Sequence, residues 1–207
     1  QSELGRELAA THTGALTGSA EAMAAWLDAQ GVVRVDHFET LLEMGANITY
    51  EERRDPIGEP IANLVVKASK LHGATPPPRR APAMIDEFPI LAAVAAFADG
   101  ETRITGAAEL RVKESDRITL MVDGLRACGV EAEELPDGLV VNGRGPKSVR
   151  GGAEIRTLGD HRIAMSFLVL GLGSKEPVTV DDADMIATSF PGFAAFMQSL
   201  GADIVAL

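Results

Sequence analysis

The sequence predicts an α/β fold of the inside-out barrel kind, about three β-α-β-α-β-β units with helices buried and sheets outside. Three observations predict it. A helix–glycine–strand phrase recurs as Leu42-Glu43-Met44-Gly45-Ala46, Leu125-Arg126-Ala127-Cys128-Gly129-Val130 and Met197-Gln198-Ser199-Leu200-Gly201-Ala202, and recurrence of that sort signals a repeat architecture. Residues 85–98 and 161–172 are apolar on nearly every side, the mark of a helix enclosed all round. Neither G-x-G-x-x-G nor G-x-x-x-x-G-K-[ST] occurs, so a doubly wound nucleotide-binding layout is not supported.

In chain order, residues 1–15 are small and polar, with a short helix expected at 2–9. A helix over 16–30 ends at Gly31, Val32–Val35 alternate as a strand, and a helix over 36–44 stops at Gly45, the usual left-handed stop residue. Strands from Ile48 to Tyr50 and Ile61 to Ala68 flank the turn Pro56-Ile57-Gly58-Glu59-Pro60. The second copy runs helix 85–98, strand Thr102–Thr105, helix 115–127, strand Val130–Glu134, the turn Pro136-Asp137-Gly138 and strand Leu139–Asn142. The third runs strand Glu154–Thr157, helix 161–172, strand Val178–Val180, helix 191–200 and strand Asp203–Ala206, without a final strand. The unit boundaries read as about 16–68, 70–143 and 153–207. Parallel βαβ links share one hand, so corresponding helix starts should face one rim.

Composition narrows the function. The 207 residues are 46% hydrophobic and 24% charged, enough for a proper core. No apolar run reaches the ~18 residues of a membrane span, and the first residues lack a signal-peptide layout. Cys128 is the single cysteine, which points to a reducing, cytoplasmic setting and to a core position for Cys128 itself. A net charge of −11 with 4% aromatics argues against nucleic acid as a partner. His12, His37, His72 and His161 show no metal-ligand spacing.

Three polar clusters stand at helix starts. The first is Asp86-Glu87, the second Arg111-Val112-Lys113-Glu114-Ser115-Asp116-Arg117, and the third Gly159-Asp160-His161-Arg162. Ser115 or Asp116 can cap the helix that follows, since a short oxygen side chain accepts from its orphan N–H groups. Helix starts also favour anions. Lys113 and Arg117, four residues apart, could grip one anion together while Glu114 stays available for proton transfer. A solvated, salt-bridged helix start is the plain alternative for that charge run. Arg162 opens an apolar helix, a poor place for a cation unless something anionic meets it. Asp86 reads equally as a helix cap, and His161 as a hydrogen-bonded histidine rather than a metal ligand. If the repeat brings the clusters together, the cleft holds cations for a phosphorylated or carboxylated substrate and carboxyls for proton transfer. The cations are expected to leave it locally positive.

The second cluster together with Asp160-His161-Arg162-Ile163-Ala164-Met165 resembles the paired signatures of the 5-enolpyruvylshikimate-3-phosphate synthase family. Met84-Ile85-Asp86-Glu87 and Ile186-Ala187-Thr188-Ser189-Phe190-Pro191 resemble its flanking motifs, in the style of the bacterial glyphosate-tolerant class. The resemblance runs from about residue 34 to the end; residues 1–33 do not share it. It implies one domain, 34–207, of a two-domain enzyme built from such inside-out units. That enzyme transfers the enolpyruvyl group of phosphoenolpyruvate to the 5-hydroxyl of shikimate 3-phosphate, releasing phosphate, with neither metal nor cofactor. By motif, Asp86 would contact the shikimate hydroxyls and help deprotonate the nucleophile, and Lys113 would contact substrate. Glu114 would handle the proton at the methylene carbon, Arg117 and Arg162 would clamp phosphoenolpyruvate, and His161 would join the substrate-binding set. Many relatives carry lysine beside the final Phe-Pro, where Thr188-Ser189 stand here, so no phosphate contact is expected of them. The family's other-domain signatures are missing from this sequence, so the implied partner is a complementing N-terminal domain or chain. Two alternatives stay open: a UDP-N-acetylglucosamine enolpyruvyl transferase domain, against which the lysine–glutamate and Asp-His-Arg blocks speak, and a non-catalytic anion-binding half.

Overall fold

The computed structural model of the chain describes residues 8–12, 35–54 and 61–206. Its helices and strands are α1 (Val35–Glu43), α2 (Ala81–Met84), α3 (Phe88–Ala95), α4 (Arg117–Ala127), α5 (His161–Gly171), α6 (Ile186–Ser189) and α7 (Phe193–Ser199), with β1 (Leu8–His12), β2 (Asn47–Arg54), β3 (Ile61–Lys67), β4 (Asp99–Ile104), β5 (Glu131–Leu135), β6 (Gly138–Arg144), β7 (Glu154–Ile155), β8 (Val178–Val180) and β9 (Ala202–Ala206). Two 3-10 turns, Pro78–Arg80 and Ala108–Val112, lead into α2 and toward α4.

The recurring phrase has a common geometry. Gly45, Gly129 and Gly201 take φ of 88°, 82° and 94°, a left-handed backbone that a side chain resists. Ala46 N–H donates to Leu41 C=O and Val130 N–H to Leu125 C=O, both at 2.9 Å, the six-to-one bond that closes a helix before a strand. α1 and α4 therefore stop alike and hand over to β2 and β5; α7 shares the left-handed glycine before β9, with Gly201 N–H donating to Gln198 C=O at 2.9 Å.

Strands form three separate sheets, ordered β7-β8-β1-β9, β2-β3 and β4-β6-β5. Among the described residues, parallel pairing is confined to the opening link of a unit, as in β7 with β8, whereas β4, β5 and β6 pair antiparallel. The core lies between the sheets. Every residue of α3 is buried, as is α5 from Ile163 to Gly171, and these two helices pack against each other and on α4. The inside-out arrangement predicted from the all-round apolar runs is what the structure has.

Several element expectations are corrected. The short helix at 2–9 is not there over its described part: Leu8 and Ala9 belong to strand β1, inserted antiparallel between β8 and β9. Long-range pairing there satisfies backbone groups of both neighbours and overrides a weak local helix preference. That strand occupies the place of the one the last unit was expected to lack. Val35 opens α1 rather than closing a strand, and the helix expected at 16–30, residues 32–34 and the turn at 56–60 lie outside the described residues. The helix expected at 85–98 is shorter: only α3, Phe88–Ala95, is helical, and the turn at 85–87 that joins it to the preceding α2 turns Asp86 out of the apolar register. A short helix, α6, precedes α7, and the helix expected from 191 begins at Phe193 after Gly192, whose φ is 84°.

Candidate active site

Three chain segments bring their polar ends together. Asp86 comes from the turn before α3. α4 is capped by Asp116, which accepts from Thr119 N–H at 3.1 Å. α5 is capped by Asp160, which accepts from the N–H groups of Arg162 at 2.9 Å and Ile163 at 3.4 Å. For α4 and α5 a carboxylate takes orphan donors at the positive end of a helix, which is why an aspartate stands immediately before the apolar run. Asp86 is not such a cap, since Glu87 holds the N-cap position of α3 without a side-chain capping bond.

Arg117, the first residue of α4, is the hub, with its side chain 1% exposed. Its Nε donates to Asp160 Oδ2 at 2.8 Å and its Nη2 reaches Asp160 Oδ1 at 3.4 Å. Nη1 donates to Asp86 Oδ1 at 3.3 Å, and Nη2 also donates to the Glu114 carboxylate. Arg162 Nη1 donates to the Asp86 backbone carbonyl at 2.8 Å, with Nη2 3.7 Å from Asp86 Oδ2. Lys113 Nζ lies 3.9 Å from Asp86 Oδ1 and 2.6 Å from Glu109. Asp86 thus meets Lys113, Arg117 and Arg162, so the predicted clusters do converge.

Two expectations change at this point. Arg117 is too enclosed to share one anion with Lys113 from the surface, because Asp160, Asp86 and Glu114 occupy its donor edges. Nor are the cations unopposed: among the described residues, Asp86, Glu114, Asp160 and Glu109 balance them, so the cleft is not locally positive. A substrate anion reaches the fork of Arg117 only by displacing Asp86 or Glu114. Glu114, with a side chain 53% exposed, is the more easily displaced.

Burial pushes Asp160 upward, but the Arg117 guanidinium, the Ser115 hydroxyl and the Arg162 N–H outweigh it and hold the carboxyl below its ordinary value. Burial, reinforced by Arg162, pushes His161 below its ordinary value, so it is neutral near pH 7. Its ring makes no hydrogen bond among the described residues, which departs from the expectation of a hydrogen-bonded histidine. Sequence reasoning passed over Asp160 as a functional position, although an aspartate directly before an apolar helix is a cap signal. It also gave Ser115 only a capping role; Ser115 instead donates to Asp160 Oδ2 at 2.8 Å. Arg80, beside the first cluster, turns away to Glu39 and Glu43 of α1. No group of His, Cys, Asp and Glu among the described residues is disposed to hold a metal, and no described helix is long and apolar enough to cross a membrane.

Residues 29–197 match the family model described as EPSP synthase (3-phosphoshikimate 1-carboxyvinyltransferase). Residues 1–47 match a second model, the succinyl-CoA ligase like flavodoxin domain, so the two matches overlap over 29–47, and the first begins a few residues before the expected start at 34. The chain is 57% identical over 172 residues to the 3-phosphoshikimate 1-carboxyvinyltransferase of Phenylobacterium zucineum, covering 83% of this chain and 38% of that one. It is 59% identical over 169 residues to the protein of the same name from Cereibacter sphaeroides, covering 82% and 38%. Among solved structures, EPSP synthase from Acinetobacter baumannii superposes with a TM-score of 0.79 at 38% identity, covering 89% of this chain and 47% of the other. The enolpyruvyl transferase NikO from Streptomyces tendae shares the fold with a TM-score of 0.59 at 20% identity. The chain therefore spans well under half the length of the curated relatives it matches.

Proposed function

This chain belongs to the EPSP synthase family, and from that premise we propose that it supplies one wall of an active site transferring the enolpyruvyl group of phosphoenolpyruvate to shikimate 3-phosphate. The observation that carries this reading is the meeting of Lys113, Arg117 and Arg162 at Asp86, with Glu114 on the open side. Three cations at one carboxylate suit a substrate bearing phosphate and carboxylate groups. Guanidinium forks hold such groups with two parallel bonds, and Arg162 and Lys113 are the more reachable donors. Asp86, already paired with cations, is placed to accept a bond from a substrate hydroxyl and to assist loss of its proton. Glu114 is placed to deliver a proton to the methylene carbon of phosphoenolpyruvate. That makes the adjacent carbon open to attack by the hydroxyl oxygen; return of the proton to Glu114 then accompanies departure of phosphate. Neutral His161 serves as a polar neighbour of the bound substrate.

The domain in this reading is 34–207, with units at about 16–68, 70–143 and 153–207, and the segment 1–33, which lacks a clear match to the family motifs, lends strand β1 to the sheet of the last unit. The second wall comes from a complementing domain or chain in the cytoplasm. Positioning two reactants away from water supplies ~7–11 kcal/mol of such barriers, so this chain alone turns over negligibly. The Met84–Glu87 and Ile186–Pro191 motifs support placement in the glyphosate-tolerant class. The test mixes the purified chain with the separately produced N-terminal half of the Phenylobacterium zucineum relative and measures phosphate release from both substrates, with and without glyphosate. Release only in the mixture is expected. Absence of release with this and other N-terminal halves, or preference for UDP-N-acetylglucosamine, would overturn the proposal.

A further inference from the structure

Asp160 is 0% exposed, and it gathers donors from separate parts of the chain. Oδ2 accepts from Arg117 Nε and from Ser115 Oγ, both at 2.8 Å. Oδ1 accepts from the N–H groups of Arg162 and Ile163 and from Arg117 Nη2 at 3.4 Å. One oxygen therefore faces the loop and first residue of α4, while the other chiefly caps α5. With its lone pairs engaged, this carboxylate has no free edge for a substrate and takes no direct part in proton transfer.

We propose that Asp160 is the positioning residue of the site: it aims the Arg117 fork at Asp86 and Glu114 and holds the starts of α4 and α5 in register. The inference rests on reading this cluster as the phosphoenolpyruvate site. A guanidinium presents its donors in a rigid planar fork, so fixing the Nε edge fixes where both Nη atoms point. The same carboxylate orients the first turn of α5, from which Arg162 reaches the Asp86 carbonyl at 2.8 Å. An amide cannot do both tasks. Asparagine has one acceptor oxygen; if it caps α5, its NH2 faces the Nε–H of Arg117, donor against donor. Asp160→Asn thus separates helix capping from the aiming of Arg117.

The experiment uses the 207-residue chain labelled with 15N-arginine. The Arg117 Nε–H resonance is assigned by its loss in Arg117→Lys, and its exchange with water is compared with that of Arg144, whose side chain is 77% exposed. In the wild type, Arg117 Nε–H should exchange at least tenfold more slowly than Arg144 Nε–H. Asp160→Asn should remove most of that protection with the helical signal intact, and weaken phosphoenolpyruvate binding, read on the same resonance, by about tenfold. Ser115→Ala, which removes one donor from the carboxylate, should lower protection partway. Wild-type protection and phosphoenolpyruvate affinity in Asp160→Asn would overturn the proposal. Should Asp160→Asn fail to fold, unchanged protection in Ser115→Ala would do so. If the wild type ignores phosphoenolpyruvate while protection still depends on Asp160, the positioning role stands and the substrate reading falls.

Discussion

Replacing Arg117 with methionine fills the space of the arginine stem but strips Asp160 of its cation. What remains is a 0% exposed carboxylate with the Ser115 hydroxyl and two backbone N–H groups as donors. Breaking a buried ion pair by removing one partner costs about 3–5 kcal/mol, and the surviving donors argue for about 3 here. A chain of this size loses roughly 2–4 °C of Tm per kcal/mol, so Tm should fall by roughly 6–12 °C. Arg162→Ala removes a hydrogen bond to the Asp86 carbonyl from a partly exposed side chain and should cost about 1–1.5 kcal/mol. The pH dependence carries a second signature. In the wild type, Asp160 is held below its unfolded value of 3.8, so its contribution is present above that pH and lost as pH falls through the lower folded value. In Arg117→Met its folded pKa should rise above the unfolded one, so the defect should shrink on acidification from pH 7 toward 4. Thermal melts by circular dichroism across that range make the measurement. A wild-type Tm for Arg117→Met, or no recovery in the Arg117→Met/Asp160→Asn double variant, would refute the reasoning.

Burial drives His37 down to about 3 from 6.5, with neither ring nitrogen bonded among the described residues. Unfolded chains take up that proton below pH 6.5 and the fold does not, so stability should fall from pH 6.5 toward 3 by up to about 1.4 kcal/mol per pH unit. Urea melts of His37→Leu should show a flatter acid limb. A Cβ at Gly124 would sit 2.2 Å from Phe167 Cζ, where α4 crosses α5. Gly124→Ala should therefore lose about 1–3 kcal/mol to overpacking against ~1 gained in helix preference, and denaturant titration should show part of the loss restored by adding Phe167→Leu. The Cys128 thiol, buried and pushed up to about 11, should ignore a chromogenic disulfide reagent at pH 8 until denaturant is added, when one thiol per chain should react.

The architecture was legible where local chemistry and tertiary structure agree. Gly45, Gly129 and Gly201 mark helix ends because a left-handed residue is needed there whatever surrounds it. Residues 88–95 and 163–171 read as enclosed because no polar side allows them a surface. Strand β1 was not legible, since its reason lies far along the chain in the edges of β8 and β9, and pairing at that separation leaves no local pattern. For the site, residue types and helix-start spacing revealed which groups would meet. They did not reveal that Arg117 would be buried and already partnered, because the depth of a side chain beside a helix start depends on the neighbouring helix. Asp160 hid for a related reason: a cap and a counter-ion look the same in one dimension.

The most direct test of the claim that these helix starts form the catalytic wall is Glu114→Gln in the two-part assembly, read simultaneously for phosphoenolpyruvate affinity and phosphate release. Glutamine keeps the side chain's shape but cannot carry the proton, and general acid–base catalysis is worth typically 10²–10⁴-fold. Release should fall by about 100-fold or more, with affinity in the presence of shikimate 3-phosphate changed by less than about threefold, because the arginine and lysine contacts remain. Wild-type release from the Glu114→Gln assembly would contradict it.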